Sequence, residues 1–111
     1  MTVRAILVKA QFERKGFTME NNEINREKLI RNMTENLPML RTRLGLTQEE
    51  LADKIGVSRS TILSIENKKR EMTWNTFLSL ILLFTKNETT NKLLNVLEIY
   101  TDEFHDFIQD R

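Results

Sequence analysis

Apolar residues recur in steps of three and four along most of this chain, the spacing that lines one face of an α-helix. Ile30, Met33, Leu37, Leu40 and Leu44 keep that spacing and predict a helix over about 24–44. Pro38 lies inside it. Its missing amide, and the crowding of its ring against the carbonyl of Thr34, predict a kink or a restart with Pro38 in the first turn. Gly45 suits the left-handed conformation that ends a helix.

Thr47-Gln48-Glu49-Glu50 has the form of a capping box, in which the threonine hydroxyl and the glutamate carboxylate satisfy each other's backbone amides. A short helix over about 48–55 follows, with Leu51, Ala52 and Ile55 apolar, and Gly56 turns the chain. Ser58 is the next capping residue, and Ile62 and Ile65 share one face of a third helix over 59–66. Two short helices joined by so tight a turn have helix-turn-helix spacing. Asn67 to Glu71 is polar and predicts a loop. Thr73 caps a fourth helix over about 74–86, with Trp74, Phe77, Leu78, Leu80, Ile81 and Phe84 facing inward and Leu82 and Leu83 widening the apolar surface. Leu93, Leu97, Tyr100, Phe104 and Phe107 predict a fifth helix over 89–109 that covers the fourth.

The expected fold is all-α, five helices containing a helix-turn-helix, the last helix being an addition at the C-terminal end. Three segments follow: an N-terminal extension over 1–18, a domain over 19–88, and a C-terminal helix over 89–111 that serves as lid or dimer interface. Two readings of 1–18 stand side by side. Arg14-Lys15-Gly16 can be encoded by a purine-rich run at ribosome-binding distance before Met19, which would make 1–18 foreign to the natural product. Alternatively, Val3 to Phe12 forms a strand that pairs with a second copy.

Composition narrows the chemistry. At 111 residues the chain has room for one domain and a tail. It has no cysteine and one histidine, so a disulfide framework, a thiolate zinc site or a cysteine nucleophile cannot be assembled within it. The four serines, all within 58–79, lack a neighbouring histidine base, and no glycine-rich phosphate loop is present. No enzyme activity, cofactor or metal is expected. His105, among Asp102, Glu103 and Asp106, reads as a surface residue. The stretch Phe77 to Phe84 is eight residues, well short of the roughly 18–20 that cross a bilayer, so a cytoplasmic protein without membrane contact is expected. Net charge is only +1, but it is unevenly spread: about +3 over 1–31, +2 over 32–87 and −4 over 88–111. A weakly basic body with an acidic end suits a nucleic-acid binder whose end stays clear of phosphates.

Arg41, the run from Leu44 to Ala52, the run from Ile55 to Ile62, and Ile65-Glu66-Asn67 together resemble the λ-repressor-like, Xre/Cro-type family of helix-turn-helix regulators. The resemblance extends from Leu37 to Phe84. It implies that the third helix enters the major groove of double-stranded DNA and presents Arg59, Ser60, Leu63 and Ser64 to the bases. A guanidinium can donate two hydrogen bonds to guanine O6 and N7, and an outward leucine can meet a thymine methyl. Gln48 at the start of the second helix is expected on a phosphate, as are Asn67, Lys68 and Lys69 after the third. The family commonly has glycine where this chain has Lys68. Arg41 and Glu66 match a family ion pair between the first and third helices.

The expected function is therefore sequence-specific binding of double-stranded DNA by a small transcriptional regulator of bacterial or phage type, acting as a homodimer. The alternative is an antitoxin-like or other protein-interaction module that keeps the same fold, with Leu63 and the last helix on a protein partner.

Overall fold

In the computed structural model, residues 24–109 are described, and they contain six α-helices. α1 is Arg26–Arg43, α2 Gln48–Ile55, α3 Arg59–Glu66, α4 Trp74–Thr85, α5 Glu88–Val96 and α6 Asp102–Gln109. Both readings of residues 1–18, extension or strand, fall outside the described residues.

Side-chain caps set most helix starts. Asn25, Thr47, Ser58, Thr73 and Asn87 each accept a backbone amide from the first turn they precede, satisfying donors that a helix leaves open at its N-terminus. α1 runs through Pro38 without a break. Its buried stripe is Leu29, Met33, Leu37 and Leu40, with Ile30 and Leu44 half-buried at the margin.

α1 to α5 belong to one compact unit, Asn25–Asp102. Within it, α2 packs on α3, α4 on α5, and α1 lies against α3, α4 and α5. The centre is apolar and closed to solvent: Met33, Leu37, Leu40, Leu51, Ile62, Phe77, Leu80, Phe84, Leu94 and Ile99 are fully buried. Each such side chain contributes about 1.5–3 kcal/mol through removal from water. The two buried polar residues of this unit have partners. Thr90 donates its hydroxyl to the carbonyl of Phe84 at 2.7 Å, and Thr76 accepts from Thr73 Oγ1 at 3.0 Å.

The structure corrects the C-terminal reading. Residues 89–109 do not form one helix: α5 ends at Val96, and α6 begins at Asp102. Glu98 takes a left-handed φ of 59°. The Glu98 amide donates to the Asn95 carbonyl at 3.0 Å, and the Ile99 amide to that of Leu94 at 2.8 Å, closing the helix end. The single stripe from Leu93 to Phe107 is therefore divided. In α5 and its exit the fully buried residues are Leu94, Thr90 and Ile99, while Leu93, Leu97 and Tyr100 are half-buried. In α6, Phe104 is fully buried and Phe107 half-buried.

α4 differs from expectation at its edges. Phe77, Leu80, Ile81 and Phe84 are buried with Thr76, whereas Trp74 and Leu78 are half-buried and Leu82 is 62% exposed. Trp74 stacks on Phe77 with ring centroids 4.8 Å apart, and the Arg26 guanidinium lies 5.0 Å from the Trp74 ring centroid. That cation–π contact joins the starts of α1 and α4.

Candidate nucleic-acid interface

α3 is held from beneath and from both ends. Ile62 and Ile65 are buried against the core, so its other face is turned to solvent. On the α2 side, the Thr47 capping box is complete: the Glu50 amide donates to Thr47 Oγ1 at 3.0 Å, and Glu50 Oε1 accepts the Thr47 amide at 2.9 Å. Gly56 takes φ 79° in the turn, and the amides of Gly56 and Val57 both donate to the carbonyl of Ala52. Ala52 is buried in α2, which packs on α3.

Glu66, at the end of α3, gathers three elements. Arg41 Nε donates to Glu66 Oε2 at 2.8 Å and Arg41 Nη2 to Oε1 at 3.1 Å. The remaining Arg41 nitrogen donates to the Leu46 carbonyl at 2.9 Å. The hydrogen bonds to Glu66 hold the guanidinium above its ordinary pKa, although partial burial acts against this. Gln48 Nε2 donates to the same Oε1 at 2.9 Å. The Gln48 amide therefore already has a protein partner, which the sequence did not disclose. Its other N–H and its backbone remain at the start of α2.

Of the residues expected at the bases, Arg59, Ser60 and Leu63 are exposed and Ser64 is half-buried. An open recess of about 520 Å³ lies between Arg41, Thr47, Gln48, Glu49 and Arg59. Its lining is polar, with Arg41 paired to Glu66 and Arg59 standing across from Glu49.

The residues expected on phosphates after α3 separate. Asn67 caps the helix and is exposed, and Lys69 is exposed beside it. Lys68 occupies the glycine position with a left-handed φ of 63°; its amide donates to Ile65 at 3.0 Å and the next amide to Ser64 at 2.9 Å. The Lys68 ammonium lies 3.7 Å from Glu35 of α1, both side chains being well exposed. It is thus directed toward a carboxylate of its own chain, in a pairing worth little in water.

Two residues without an assigned role in the sequence reading also stand at this face. Arg70 donates to Thr61 Oγ1 at 3.0 Å, and Thr61 Oγ1 lies 2.9 Å from Ser58 Oγ. A second recess, about 480 Å³, separates α1 from this loop and includes Glu27, Arg31, Glu35, Lys68, Arg70 and Glu71 around Ile30 and Met72. Its charges are of both signs. Among the described residues, no group of three His, Asp or Glu side chains could hold a metal ion, and no helix is long and apolar enough to cross a membrane.

Residues 39–73 match the model of a family described as helix-turn-helix. Over 26 residues the chain is 62% identical to a protein of Methanothermobacter thermautotrophicus named as an uncharacterized HTH-type transcriptional regulator. That similarity covers 23% of this chain and 38% of the relative, so the shared part is well under half of either. No solved structure matches the chain.

Proposed function

We propose that the chain, whose residues 39–73 match a helix-turn-helix family and resemble the λ-repressor-like kind, binds specific sequences in double-stranded DNA with α3 in the major groove. The observation that carries the proposal is the outward face of α3. Arg59, Ser60 and Leu63 are exposed on a helix whose opposite face, Ile62 and Ile65, is fixed in the core. A reading helix needs this combination, because base contacts require both reach and a rigid register. Arg59 addresses guanine, Ser60 and Ser64 address base edges, and Leu63 addresses a thymine methyl. Gln48, Asn67 and Lys69 grip phosphates on either side, with Lys68 adding charge once DNA competes with Glu35.

In this reading the protein is a non-enzymatic transcriptional regulator of the cytoplasm, acting by occupying its operator, and works as a homodimer. Two α3 helices about 34 Å apart would read two half-sites and multiply a specificity that one short helix cannot supply. Selection of bound duplexes from a random pool tests the proposal. A consensus should emerge, and Arg59→Ala should lose about 1–3 kcal/mol on it while relaxing one base pair. Equal losses on selected and random DNA would remove base readout from Arg59.

A second reading has its own support. Leu63, at 36% exposure, and the more exposed Leu82 and Val96 are apolar residues facing water. An antitoxin-like protein-interaction module would use them on a protein partner. A chain that binds no duplex in a mobility-shift titration would favour that reading.

A further inference from the structure

The hydroxyl of Ser58 stands at the centre of a chain of side chains at the start of α3. Its Oγ accepts the Thr61 amide at 3.1 Å. Ser60 Oγ lies 3.0 Å from it and Thr61 Oγ1 2.9 Å. Beyond Thr61, the Arg70 guanidinium donates to Thr61 Oγ1 at 3.0 Å. A hydroxyl has one hydrogen and two lone pairs. The Thr61 amide fills one lone pair of Ser58, which leaves one hydrogen to give and one lone pair to fill. Its two hydroxyl neighbours must therefore meet it in opposite senses, and the chain runs head to tail in one direction.

Arg70 sets that direction. A guanidinium only donates, so it takes a lone pair of Thr61, and its positive charge favours O–H dipoles that point away from it. Thr61 then gives its hydrogen to Ser58, and Ser58 gives its own to Ser60. In the reverse direction Thr61 would accept twice, and its hydrogen would find neither Arg70 nor Ser58. Successive bonds in such a chain polarise one another. Ser60 closes the series by accepting from Ser58, and its own hydrogen is left for whatever meets the exposed face.

We propose that Arg70, acting through Thr61 and Ser58, leaves the Ser60 hydrogen for DNA and makes Ser60 a better donor than acceptor, and so biases the base that faces it. The inference rests on the DNA-reading function proposed above. Major-groove acceptors are guanine N7 and O6, adenine N7 and thymine O4, whereas cytosine offers the N4 donor. Cytosine would have to donate to the one lone pair Ser60 has left, which the chain makes the poorer half of the hydroxyl, so cytosine is the base that Ser60 disfavours. Arg70 is a positioning residue here, and half-buried Thr61 is the link that never touches the base.

Selection from a random duplex pool with the wild-type chain, Ser60→Ala, Thr61→Val and Arg70→Met tests this. Thr61→Val keeps the side-chain shape and removes the hydroxyl. One position of the wild-type site should discriminate against cytosine by up to about five-fold, the value of one whole hydrogen bond, and all three variants should lose most of that factor there. Preferences elsewhere in the site are retained. Affinity for random duplex stays unchanged in Thr61→Val and falls for all sequences alike in Arg70→Met, which removes a charge. The double variant Thr61→Val, Arg70→Met shows no further loss at that position, because both changes break one chain. A Thr61→Val profile identical to the wild type overturns the proposal and leaves DNA reading by α3 standing. A wild-type chain that selects no sequence overturns both. Arg70 is exposed, so Arg70→Met keeps the fold and decides the matter even where Thr61→Val does not fold: an unchanged preference at every position in Arg70→Met also overturns the proposal.

Discussion

Gln48 Nε2 and Arg41 Nη2 both donate to Glu66 Oε1, at 2.9 and 3.1 Å. One carboxylate thus ties the end of α1, the start of α2 and the end of α3. The proposed phosphate grip at Gln48 and the proposed reading face of α3 are consequently held in one register by a side chain that need not touch DNA. Glu66 is only 6% exposed and Arg41 15%, so water compensates either charge only in part when the other is removed.

Glu66→Ala should therefore destabilise the chain by about 3–5 kcal/mol, the range for leaving a buried charge unpaired. Urea unfolding measures this. The double variant Arg41→Met, Glu66→Met should recover most of the loss, since an apolar pair has no charge to desolvate. A double variant as unstable as Glu66→Ala would show that the bond from Arg41 to the Leu46 carbonyl, rather than the ion pair, holds the turn.

Lys68 carries a conflict between backbone and charge. Its φ of 63° is costly for a residue with a Cβ. Lys68→Gly should stabilise the fold by about 1 kcal/mol through relief of that strain, the Glu35 pair being exposed and weak. The same change should weaken DNA binding for all sequences and reduce the salt slope by about one phosphate contact. A stabilised variant with undiminished affinity would assign Lys68 to Glu35 alone.

The caps show what was legible in the sequence. Thr47, Ser58 and Thr73 act within three residues of themselves, so the starts of α2, α3 and α4 follow from local chemistry. The break after α5 does not. No glycine or proline marks it, and the contacts that accompany the left-handed Glu98 include ones remote in sequence: Asn32 Nδ2 donates to its carbonyl at 3.0 Å, and the exposed Lys28 Nζ lies 3.4 Å from its carboxylate. Burial of Ile99 offsets the strain. An uninterrupted period of three and four cannot reveal such a stop. At the candidate site, outward residues of α3 follow from the positions of Ile62 and Ile65, whereas the links from Gln48 to Glu66 and from Arg70 to Thr61 depend on how separate segments meet.

Tyr100 couples the fold to alkaline pH. Burial raises its pKa above the ordinary 10.0, because the charged phenolate is the form that loses solvation. A group raised in the folded state adds stability that is complete below its unfolded pKa and is lost as pH rises through the folded one. Thermal melting followed upward from pH 9 should therefore fall less steeply above pH 10 in Tyr100→Phe than in the wild type. Parallel curves would mean that Tyr100 ionises freely.

Leu82 on α4 and Val96 at the end of α5 are 62% and 76% exposed, the most exposed large apolar side chains in the described residues. Phe104, by contrast, is fully buried, so a charge there would report on folding rather than on association. If a second copy covers the face of α4 and α5, Leu82→Glu and Val96→Glu should each lower the sedimenting mass from twice 13.2 kDa to the single-chain value at micromolar concentration, with melting that no longer rises with protein concentration, since neither side chain is in the core and only the association is lost. The same variants should still bind a half-site but lose the gain from two half-sites one helical turn apart. A wild-type chain that sediments as a monomer, yet binds a palindrome with the same affinity as both variants, would remove this face from the dimer and require each copy to read DNA independently.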